Sequence, residues 1–315
     1  MSAPLVGAIL AAGRGDRIKP LSDELPKPLL PLLEHPIIGW QILALRELGI
    51  TDVYVVVGYL GDRLRAALGD GDRFGVRLHY VEQTTRDGLA PAVGQLEPHV
   101  AGRSFVLFLG DIYIDLLDLA PLVELRAEHE PSADVVLAVS REPDPAVLRR
   151  NFEVLLDAEG RVRAVREKPA VVEGDLKGSG LYRFSPEIFE SIRRTPRSEL
   201  RGEFELTDAI QVHIDRGFVV RPAAIAGRDW NISAPHDLLA LNLEMLDQRQ
   251  EDRFVAGRVA PGAVLVRSVV LAGAEVATGA HLENCVALPG ARVPAGTWSD
   301  TLFHRGGALV PVGDL

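Results

Sequence analysis

The sequence predicts an α/β protein whose first part is built on an open sheet and whose end has a different, repetitive architecture. Short apolar runs that are typical of buried strands alternate with segments of helical spacing through most of the chain. Beyond about residue 250, apolar residues recur at every sixth position instead. These two patterns predict a domain over residues 1–248 and a second, smaller one over residues 249–315.

The strand and helix patterns of the first domain favour a mixed, mostly parallel sheet flanked by helices. Four apolar runs are predicted to be buried strands: 4–10, 53–57, 105–109 and 134–139. Helical spacing follows Pro36 and returns over 186–192, 207–214 and 235–246. Two alternating segments on either side of Glu159-Gly160 predict a β-hairpin. Strands that alternate with helices in this way indicate a Rossmann-like open sheet.

The end of the chain carries a hexapeptide pattern. The apolar positions are Val264, Val270, Val276, Leu282 and Leu288, and glycines occupy the intervals. A six-residue period predicts a short parallel β-helix of about two coils. A pair of β-hairpins with chance spacing is the alternative. Because so short a stack buries little surface, we expect it to pack on the first domain or on a partner subunit, which favours a homo-oligomer.

Composition excludes several classes of protein. The 315 residues include 47% apolar residues, and 44 acids exceed 34 Lys and Arg, giving a formal charge of -10. That charge argues against a nucleic-acid binder, and an anionic substrate would need a local cluster of cations. The single cysteine, Cys285, cannot form an internal disulfide. No signal-peptide pattern or membrane-length apolar run is present, so the sequence predicts a cytoplasmic protein without a membrane span.

The first predicted strand leads into a loop with the features of a phosphate site. Residues 5–31 read LVGAILAAGRGDRIKPLSDELPKPLLP, with glycines at 13 and 15 and cations at 14, 17, 19 and 27. Small residues let backbone N–H groups approach a phosphate, and Arg17 and Lys27 can supply charge. The loop is not a dinucleotide fingerprint, since position 18 is Ile, and no Gly-Lys-Ser/Thr sequence makes it a P-loop.

Longer motifs add a family resemblance over most of residues 4–245. The chain contains Ala11-Ala12-Gly13-x-Gly15-x-Arg17, Pro20-Leu21, Pro26-Lys27-Pro28-Leu29, Glu82-Gln83, Asp87-Gly88-Leu89-Ala90, Leu109-Gly110-Asp111, Glu167-Lys168-Pro169, Gly180-Leu181-Tyr182 and Leu206-Thr207-Asp208. In this order they resemble the sugar-1-phosphate nucleotidyltransferases. Within that family the chain is most similar to the long glucose-1-phosphate thymidylyltransferases, which implies that the β-helix is left-handed.

The resemblance implies a role for each matching residue. The nucleotide would be bound by Ala11, Ala12, Gly13, Gly15 and Arg17, with Gln83 and Gly88 at the base. The sugar phosphate would be bound by Glu167, Lys168 and Gly178. Mg²⁺ would be held by Asp111, which follows a buried strand, and by Asn231. Arg17, Lys27, Asp111 and Lys168 are the predicted catalytic residues.

The chain departs from the family pattern at several of these places. Ile112 replaces an Asn that usually follows Gly-Asp, and Phe152 replaces a glycine close to the sugar. Asn231 stands at the position of the second acidic metal ligand and supplies no negative charge. Asp229 could compensate if the loop is reshaped. Pro91 replaces a frequent Gln.

The implied reaction joins a nucleoside triphosphate, with dTTP or UTP favoured, to a sugar 1-phosphate, with glucose 1-phosphate favoured. The sugar phosphate oxygen attacks the α-phosphorus and pyrophosphate leaves, so no protein base or covalent nucleophile is needed. Two alternatives remain open. One is a mannose-1-phosphate guanylyltransferase; the other is a non-catalytic paralogue that binds a nucleotide sugar and regulates a partner.

Overall fold

The computed structural model describes residues 4–123, 133–199 and 202–311, which form two compact units. One unit contains the chain up to Gly13 together with Gln41–Asp229. The other contains Arg14–Trp40 together with the chain from Trp230 onward. The predicted boundary at 248/249 coincides with the end of a helix, Pro235–Gln248, and stays a prediction.

The strands before the β-helix are β1 (Val6–Ala11), β2 (Pro31–Leu32), β3 (His35–Pro36), β4 (Asp52–Val57), β5 (Arg77–Glu82), β6 (Phe105–Leu109), β7 (Ile112–Leu116), β8 (Val135–Arg141), β9 (Phe152–Leu156), β10 (Val162–Glu167), β11 (Leu176–Phe184), β12 (Val220–Ala223) and β13 (Ala226–Asn231). The helices are α1 (Leu21–Glu24), α2 (Ile37–Glu47), α3 (Gly61–Leu68), α4 (Leu89–Gly94), α5 (Glu97–Val100), α6 (Ala120–Val123), α7 (Pro145–Leu148), α8 (Ile188–Arg194), α9 (Leu206–Asp215) and α10 (Pro235–Gln248). Three short 3₁₀ turns cover Asp16–Ile18, Lys27–Leu29 and Asp72–Phe74.

The first unit is built on a nine-stranded mixed sheet. Its strand order is β10-β9-β11-β6-β1-β4-β5, and β8 joins β11 to β12. The strands β6, β1, β4 and β5 are parallel, whereas β11 runs antiparallel to its neighbours. The predicted open α/β sheet and the β9–β10 hairpin are therefore confirmed.

Apolar side chains of this sheet and of the helices α4, α8 and α9 form one buried core. The central strand β1 is buried along its whole length, which explains why its sequence is an uninterrupted apolar run rather than an alternating one. In this core the ring of Phe105 stacks on Phe189 and packs at a tilt against Phe184, with centroids 5.5 Å apart in each pair.

The second unit contains the β-helix. Its strands are β14 (Arg253–Val255), β15 (Arg258–Val259), β16 (Val264–Val266), β17 (Ser268–Val270), β18 (Glu275–Val276), β19 (Ala280–Glu283), β20 (Val286–Ala287), β21 (Arg292–Val293), β22 (Gly296–Ser299), β23 (Thr301–His304) and β24 (Gly307–Pro311). They form three sheets of stacked strands, β14-β17-β20-β23-β24, β15-β18-β21 and β16-β19-β22. All pairs are parallel except β23–β24.

Parallel pairing identifies the β-helix and makes the alternative of two hairpins wrong. Each strand pairs with one that lies 15 to 17 residues further along the chain, slightly less than three full hexapeptides. Because the coils are shorter than 18 residues, the six-residue pattern drifts out of phase at both ends. The sequence therefore predicted about two coils, whereas each sheet contains at least three strands.

The helix α10 belongs to the second unit and packs on β17, β20 and β23 and on the short strand β2. Asn242 on α10 accepts a hydrogen bond from the backbone N–H of Leu33 at 3.0 Å and donates one to the carbonyl of Pro31 at 3.2 Å. The segment that follows Lys27 is thus fixed to α10. None of the helices in the described part of the chain has the length and hydropathy needed to cross a membrane.

Candidate active site

In the first unit, the loops after three parallel strands approach one another closely at the carboxyl edge of the sheet. A Cβ atom at Gly110 would lie 2.6 Å from the carbonyl oxygen of Leu10, and one at Gly58 would lie 3.0 Å from Cβ of Ala12. Gly13, in contrast, is exposed, and no atom of the described residues lies within 4 Å of the place where its Cβ would be. The backbone after Ala11 therefore has an open side that a ligand can approach.

Asp111 lies half-buried in the turn between β6 and β7. The amide of Gln41, which is 4% exposed, donates to the carbonyls of Leu109 and Ile112, each at 2.8 Å. Both bonds hold the turn on either side of Asp111. Sequence reasoning missed Gln41, although a lone Gln among the apolar residues of α2 was a visible sign of a buried polar contact.

The predicted base-binding residues Gln83 and Gly88 lie in the segment between β5 and α4. The side-chain amide of Gln83 donates to the carbonyl of Thr85 at 2.8 Å. Gly88 has φ 125°, and a Cβ there would lie 2.3 Å from the carbonyl oxygen of Phe204. Only glycine fits this close approach, so Gly88 has a structural reason to be present besides the predicted contact with a base.

Arg197, which sequence reasoning also missed, holds the segment between β5 and α4 in place through hydrogen bonds. Its guanidinium donates to the carbonyl of Gly202 at 2.7 Å and to Asp87 at 3.2 Å, and lies 4.6 Å from the ring centroid of Phe204. The backbone of Phe204 in turn donates to the carbonyl of Asp87 at 2.8 Å. The 202–208 motif therefore packs against the predicted base-binding segment and is hydrogen-bonded to it.

The predicted sugar phosphate residues Glu167 and Lys168 lie at the end of β10. Lys168 is exposed and has φ 44°, a left-handed conformation that is costly for a residue with a side chain. Its backbone N–H donates to the carbonyl of Asn151 at 2.7 Å, which holds the turn in place. The role of Lys168 in binding the sugar phosphate stays a prediction.

Phe152 occupies the space next to Gly178. A Cβ atom at Gly178 would lie 1.7 Å from Cζ of Phe152, so the ring packs directly on the glycine backbone. Phe152 is buried and pairs across the strands with Glu167. The structure thus gives Gly178 a packing role. Its predicted contact with the sugar phosphate has no support from this geometry.

Ile112 makes a similar apolar contact. A Cβ at Gly180 would lie 2.7 Å from Cδ1 of Ile112, and Gly180 has φ 65°. The pairing of β11 with β8 shifts register between Gly178 and Tyr182, and the left-handed Gly180 lies within that irregularity. Two of the departures from the family pattern therefore pack against two glycines of β11.

A buried ion pair lies between β11 and β13 in the same unit. Lys177 and Asp229 are bonded to each other, and their side chains are 11% and 10% exposed. Asp229, the residue that could have compensated for Asn231, is therefore engaged by an ammonium group. Burial raises the pKa of the Tyr182 hydroxyl far above its usual value, and the negative charges of Glu167 and Asp229 raise it further. Tyr182 is consequently neutral and acts in packing.

The second unit holds the cations of the opening loop. Arg17 is exposed on the 3₁₀ turn Asp16–Ile18, whereas Lys27 is only 6% exposed. Gly15 has φ 65°, and a Cβ there would lie 3.3 Å from Cβ of Lys27. The left-handed glycine therefore lets the loop turn tightly beside Lys27.

Asn231 also lies in the second unit and accepts a hydrogen bond from Lys27. The ammonium Nζ is 3.1 Å from the amide oxygen Oδ1. The chain after Asn231 is fixed by Asp237, whose carboxylate accepts the backbone N–H groups of Ser233 and Ala234 at 2.6 and 2.8 Å. The predicted metal ligand is therefore a partner of a predicted catalytic lysine.

The described residues contain no group of three or more His, Cys, Asp or Glu side chains that could hold a metal ion. Within the first unit, the structure places Ala11, Ala12, Gly13, Gly58 and Gly110 at one sheet edge, with Asp111 next in the chain. Within the second, it brings together Gly15, Lys27 and Asn231. Asn231 could be found from the sequence, but its contact with Lys27 could not.

Comparison with known proteins identifies the family to which this chain belongs. The family model described as nucleotidyl transferase matches residues 6–300, nearly the whole chain. The chain belongs to this family. The resemblance indicated by the opening loop and the motifs is confirmed at the level of the family.

Curated relatives share about a third of their aligned residues with this nucleotidyltransferase. It is 35% identical to a glucose-1-phosphate thymidylyltransferase from Streptomyces griseus over 76% of this chain and 65% of the relative. A protein of the same name from Streptomyces antibioticus is 34% identical over 81% of this chain and 72% of the relative. The alignments thus leave about a third of the relatives' own length unmatched.

A solved structure supports the fold. The sucrose complex of a candidate glucose-1-phosphate thymidylyltransferase from Bacillus anthracis has 27% sequence identity and a TM-score of 0.67. The similarity covers 78% of this chain and 96% of that one. The α/β architecture is therefore shared with a known relative over most of this chain.

Proposed function

We propose that this nucleotidyltransferase joins a nucleoside triphosphate to a sugar 1-phosphate and releases pyrophosphate. dTTP or UTP and glucose 1-phosphate are the favoured substrates, and the names of the two Streptomyces relatives support a thymidylyl group and glucose 1-phosphate. The observation that carries the proposal is the buried Lys27, held beside the left-handed Gly15 in the opening loop. A cation fixed beside a glycine-rich loop is suited to bind the phosphates of a nucleotide.

The reaction requires alignment and neutralisation of charge more than proton transfer. An oxygen of the sugar phosphate attacks the α-phosphorus, the new P–O bond forms, and the bond to the β-phosphate oxygen breaks in line with it. Arg17 and Lys27 would hold the triphosphate, and Lys168 would hold the sugar phosphate. Pyrophosphate leaves as an anion, so these cations stabilise the charge that moves onto the leaving group.

Gln83 supports a pyrimidine base. Because its amide nitrogen donates to Thr85, its amide oxygen would be the group that accepts a hydrogen bond from a base. An acceptor suits the imino N–H of thymine or uracil, whereas cytosine has an acceptor nitrogen in that place. The main-chain atoms near Gly88 would complete the contact with the base.

Mg²⁺ remains the proposed cofactor, because sugar nucleotidyltransferases generally use a divalent metal. The residues present fit only part of such a site. Asp111 offers a carboxylate next to a rigid turn, but the amide oxygen of Asn231 faces the ammonium of Lys27 at 3.1 Å. Asn231 is therefore a weaker candidate ligand than a carboxylate would be, and we assign no step of the reaction to the metal. The predicted homo-oligomer and cytoplasmic location also remain proposals.

A pyrophosphate-release assay tests the proposal. Purified protein is supplied with dTTP, UTP, GTP or ATP, each with glucose 1-phosphate or mannose 1-phosphate, in buffer with Mg²⁺. We expect release with dTTP or UTP and glucose 1-phosphate. Release only with GTP and mannose 1-phosphate would select the guanylyltransferase alternative.

Variants at two lysines of the same segment sharpen this assay. Lys27→Ala should lower kcat/KM by about a hundredfold or more, the usual cost of losing a charge-stabilising donor. Lys19→Ala is the matched control, because Lys19 is exposed and pairs only loosely with Asp23 at 3.6 Å. An equal loss in both variants would contradict the specific role of Lys27.

A non-catalytic binding protein is the second candidate function. It is favoured by the ring of Phe152 over Gly178 and by the neutral Asn231. Calorimetry decides between the two: tight binding of a nucleotide sugar, with no pyrophosphate release from any substrate pair, would establish the regulatory alternative. Turnover at a rate that depends on Lys27 would eliminate it.

A further inference from the structure

Gln41 is a buried amide among the apolar residues of α2, and it uses its donor nitrogen twice on one turn. The side-chain nitrogen lies 2.8 Å from the carbonyl oxygen of Leu109 and 2.8 Å from that of Ile112. The amide oxygen, in contrast, is buried and has no hydrogen-bond partner among the described residues. A buried acceptor without a partner is costly, so the two bonds from the nitrogen offset a real penalty.

The turn from β6 to β7 is fixed by other parts of the first unit as well. The backbone N–H of Gly110 donates to the carbonyl of Leu10 at 2.9 Å, next to the parallel pairing of β6 with β1. A Cβ atom at Gly180 would lie 2.7 Å from Cδ1 of Ile112, so that side chain packs on the backbone of β11. The turn is therefore held by β1, β11 and α2 together.

Asp111 lies within this turn, beside the opening loop. Leu10 directly precedes the segment Ala11-Ala12-Gly13, so the bond from Gly110 to Leu10 places Asp111 next to the backbone proposed to bind the phosphates. A carboxylate that takes part in phosphoryl chemistry has to be held at a fixed place, since a misplacement of about 1 Å can lower a rate by about a hundredfold. The supports of the turn thus bear directly on Asp111.

We propose that Gln41 is a positioning residue that holds Asp111 in place for nucleotidyl transfer through its two bonds to the turn. The inference rests on the proposed function, since it concerns a residue assigned to the nucleotide. Because Gln41 is 4% exposed, it acts through the backbone of the turn rather than by contact with a substrate. Few other side chains can replace it: leucine has no donor, ionised glutamate has none either, and asparagine is one methylene shorter.

A double-mutant cycle with Asp111 measures whether Gln41 acts through that residue. The proteins compared are wild type, Gln41→Leu, Asp111→Asn and the double variant. Pyrophosphate release from dTTP and glucose 1-phosphate gives kcat/KM for dTTP, and calorimetry in the same Mg²⁺ buffer gives the dissociation constant of dTTP. Gln41→Leu should lower kcat/KM by about tenfold or more when Asp111 is present, and by less than about twofold when it is replaced.

The division between kcat and KM is part of the same test. The loss in Gln41→Leu should reside mainly in kcat, with the KM for glucose 1-phosphate little changed, because the residues assigned to the sugar phosphate lie at the end of β10, three strands away from β6. The dissociation constant of dTTP needs no turnover. It should rise in Gln41→Leu, and the substitution should add little to it in the Asp111→Asn background.

A pH profile of Gln41→Glu is a second measurement that needs no change at Asp111. The new side chain has nearly the same size, but its ionised form cannot donate and would face two carbonyl oxygens. Burial raises the pKa of such a carboxyl, and only its neutral form can donate one of the two hydrogen bonds. The kcat/KM of Gln41→Glu relative to wild type should therefore fall as the pH rises from about 6 to about 8. A ratio that stays constant over this range would overturn the role assigned to the donated bonds.

Ile42→Ala is the matched control for loss of stability. Ile42 is the next residue of α2, is fully buried and has no polar side-chain atom. The substitution leaves a cavity and should lower the free energy of unfolding, measured with urea, but should leave kcat/KM within about twofold of wild type where the variant is folded. Loss of activity in proportion to loss of stability in both variants would show that Gln41 only supports the fold.

The outcomes also separate this inference from the proposed function. Wild-type turnover that Gln41→Leu leaves within about twofold would overturn the inference while leaving nucleotidyl transfer intact. An equal loss from Gln41→Leu with and without the Asp111 carboxylate would overturn it as well, since the effect would not pass through that residue. A wild-type protein that neither binds dTTP nor releases pyrophosphate from any substrate pair would remove the proposed function and the inference together.

Discussion

At the scale of single residues, two glycines of β11 explain two departures from the family pattern. Phe152 packs on Gly178, and Ile112 packs on Gly180. Each large side chain occupies space that is free because its partner residue is a glycine without a side chain. The sequence shows the large residues but not their partners. The side of the fold assigned to the sugar is thus closely packed at Gly178, and this packing can be tested independently of any substrate.

Gly178→Ala should destabilise the protein by about 2 kcal/mol or more, because its Cβ would overlap the ring of Phe152 and force a shift in a packed core. Urea unfolding followed by circular dichroism measures the free energy of unfolding. In a Phe152→Ala background the same alanine should cost much less, since the ring is gone. Equal costs in both backgrounds would show that the two residues do not interact.

The residue scale also shows where prediction from sequence stops. The loop residues Gly15 and Lys27 were found because they are close in sequence and chemically distinctive. The bonds Lys27–Asn231 and Lys177–Asp229 join residues 204 and 52 positions apart. No periodicity or motif encodes such a pair, because only the folded chain brings the two partners together.

At the scale of elements, α9 buries an ionisable group against α8. His213 is fully buried, its Nδ1 lies 2.9 Å from the hydroxyl of Ser191, and its ring stacks on Phe218 at 4.2 Å. The pKa of His213 is lowered to about 4, mainly by burial. The positive charge of Arg216 also lowers this pKa, whereas the negative charges of Asp134 and Glu187 oppose the shift. His213 is therefore neutral in the folded protein at neutral pH.

This depressed pKa makes stability depend on pH. The unfolded chain takes up a proton at His213 below about pH 6.5, whereas the folded chain does so only near pH 4. The free energy of unfolding should therefore fall as the pH drops from 6.5 towards 4, by about 2 kcal/mol at pH 5 from this group. Urea unfolding at pH 7.5 and pH 5 measures the difference.

His213→Gln should remove this part of the pH dependence, because glutamine does not titrate. His281→Gln, which replaces an exposed histidine of β19, is the matched control and should behave as wild type. If wild type and His213→Gln lose the same stability between the two pH values, the buried neutral histidine is not the cause. The sequence alone did not single out His213, since helical spacing does not distinguish a buried histidine from an exposed one.

Elements with strong periodicity were the most predictable part of the fold. The buried strands and the hairpin followed from uninterrupted or alternating apolar residues, and the β-helix followed from its hexapeptides. The number of coils was underestimated because the real repeat is 15 to 17 residues rather than 18. A search for an exact six-residue period detects only those coils whose apolar residues keep that spacing.

At the scale of the whole molecule, the contacts of α10 bear on whether the predicted boundary at 248/249 separates independent domains. The helix packs on three strands of the β-helix. The guanidinium of Arg267 donates a hydrogen bond at 2.6 Å to the carboxylate of Asp247 in the last turn of α10. Most of its apolar residues are buried, namely Leu238, Leu239, Leu241, Leu243, Met245 and Leu246. The compact unit that contains the β-helix also includes α10, because its second stretch of chain starts at Trp230.

A chain that ends at Gln248 should therefore be less stable than the full chain. Removing the β-helix exposes the apolar side of α10 that faces β17, β20 and β23, and exposed apolar surface of this extent promotes aggregation. We expect a melting temperature at least several degrees lower and increased binding of a hydrophobic dye. Because α10 also fixes the segment after Lys27 through Asn242, nucleotide affinity should fall as well. A 1–248 fragment that melts at the temperature of the full chain and binds dTTP equally would establish residue 248 as the end of an independent domain.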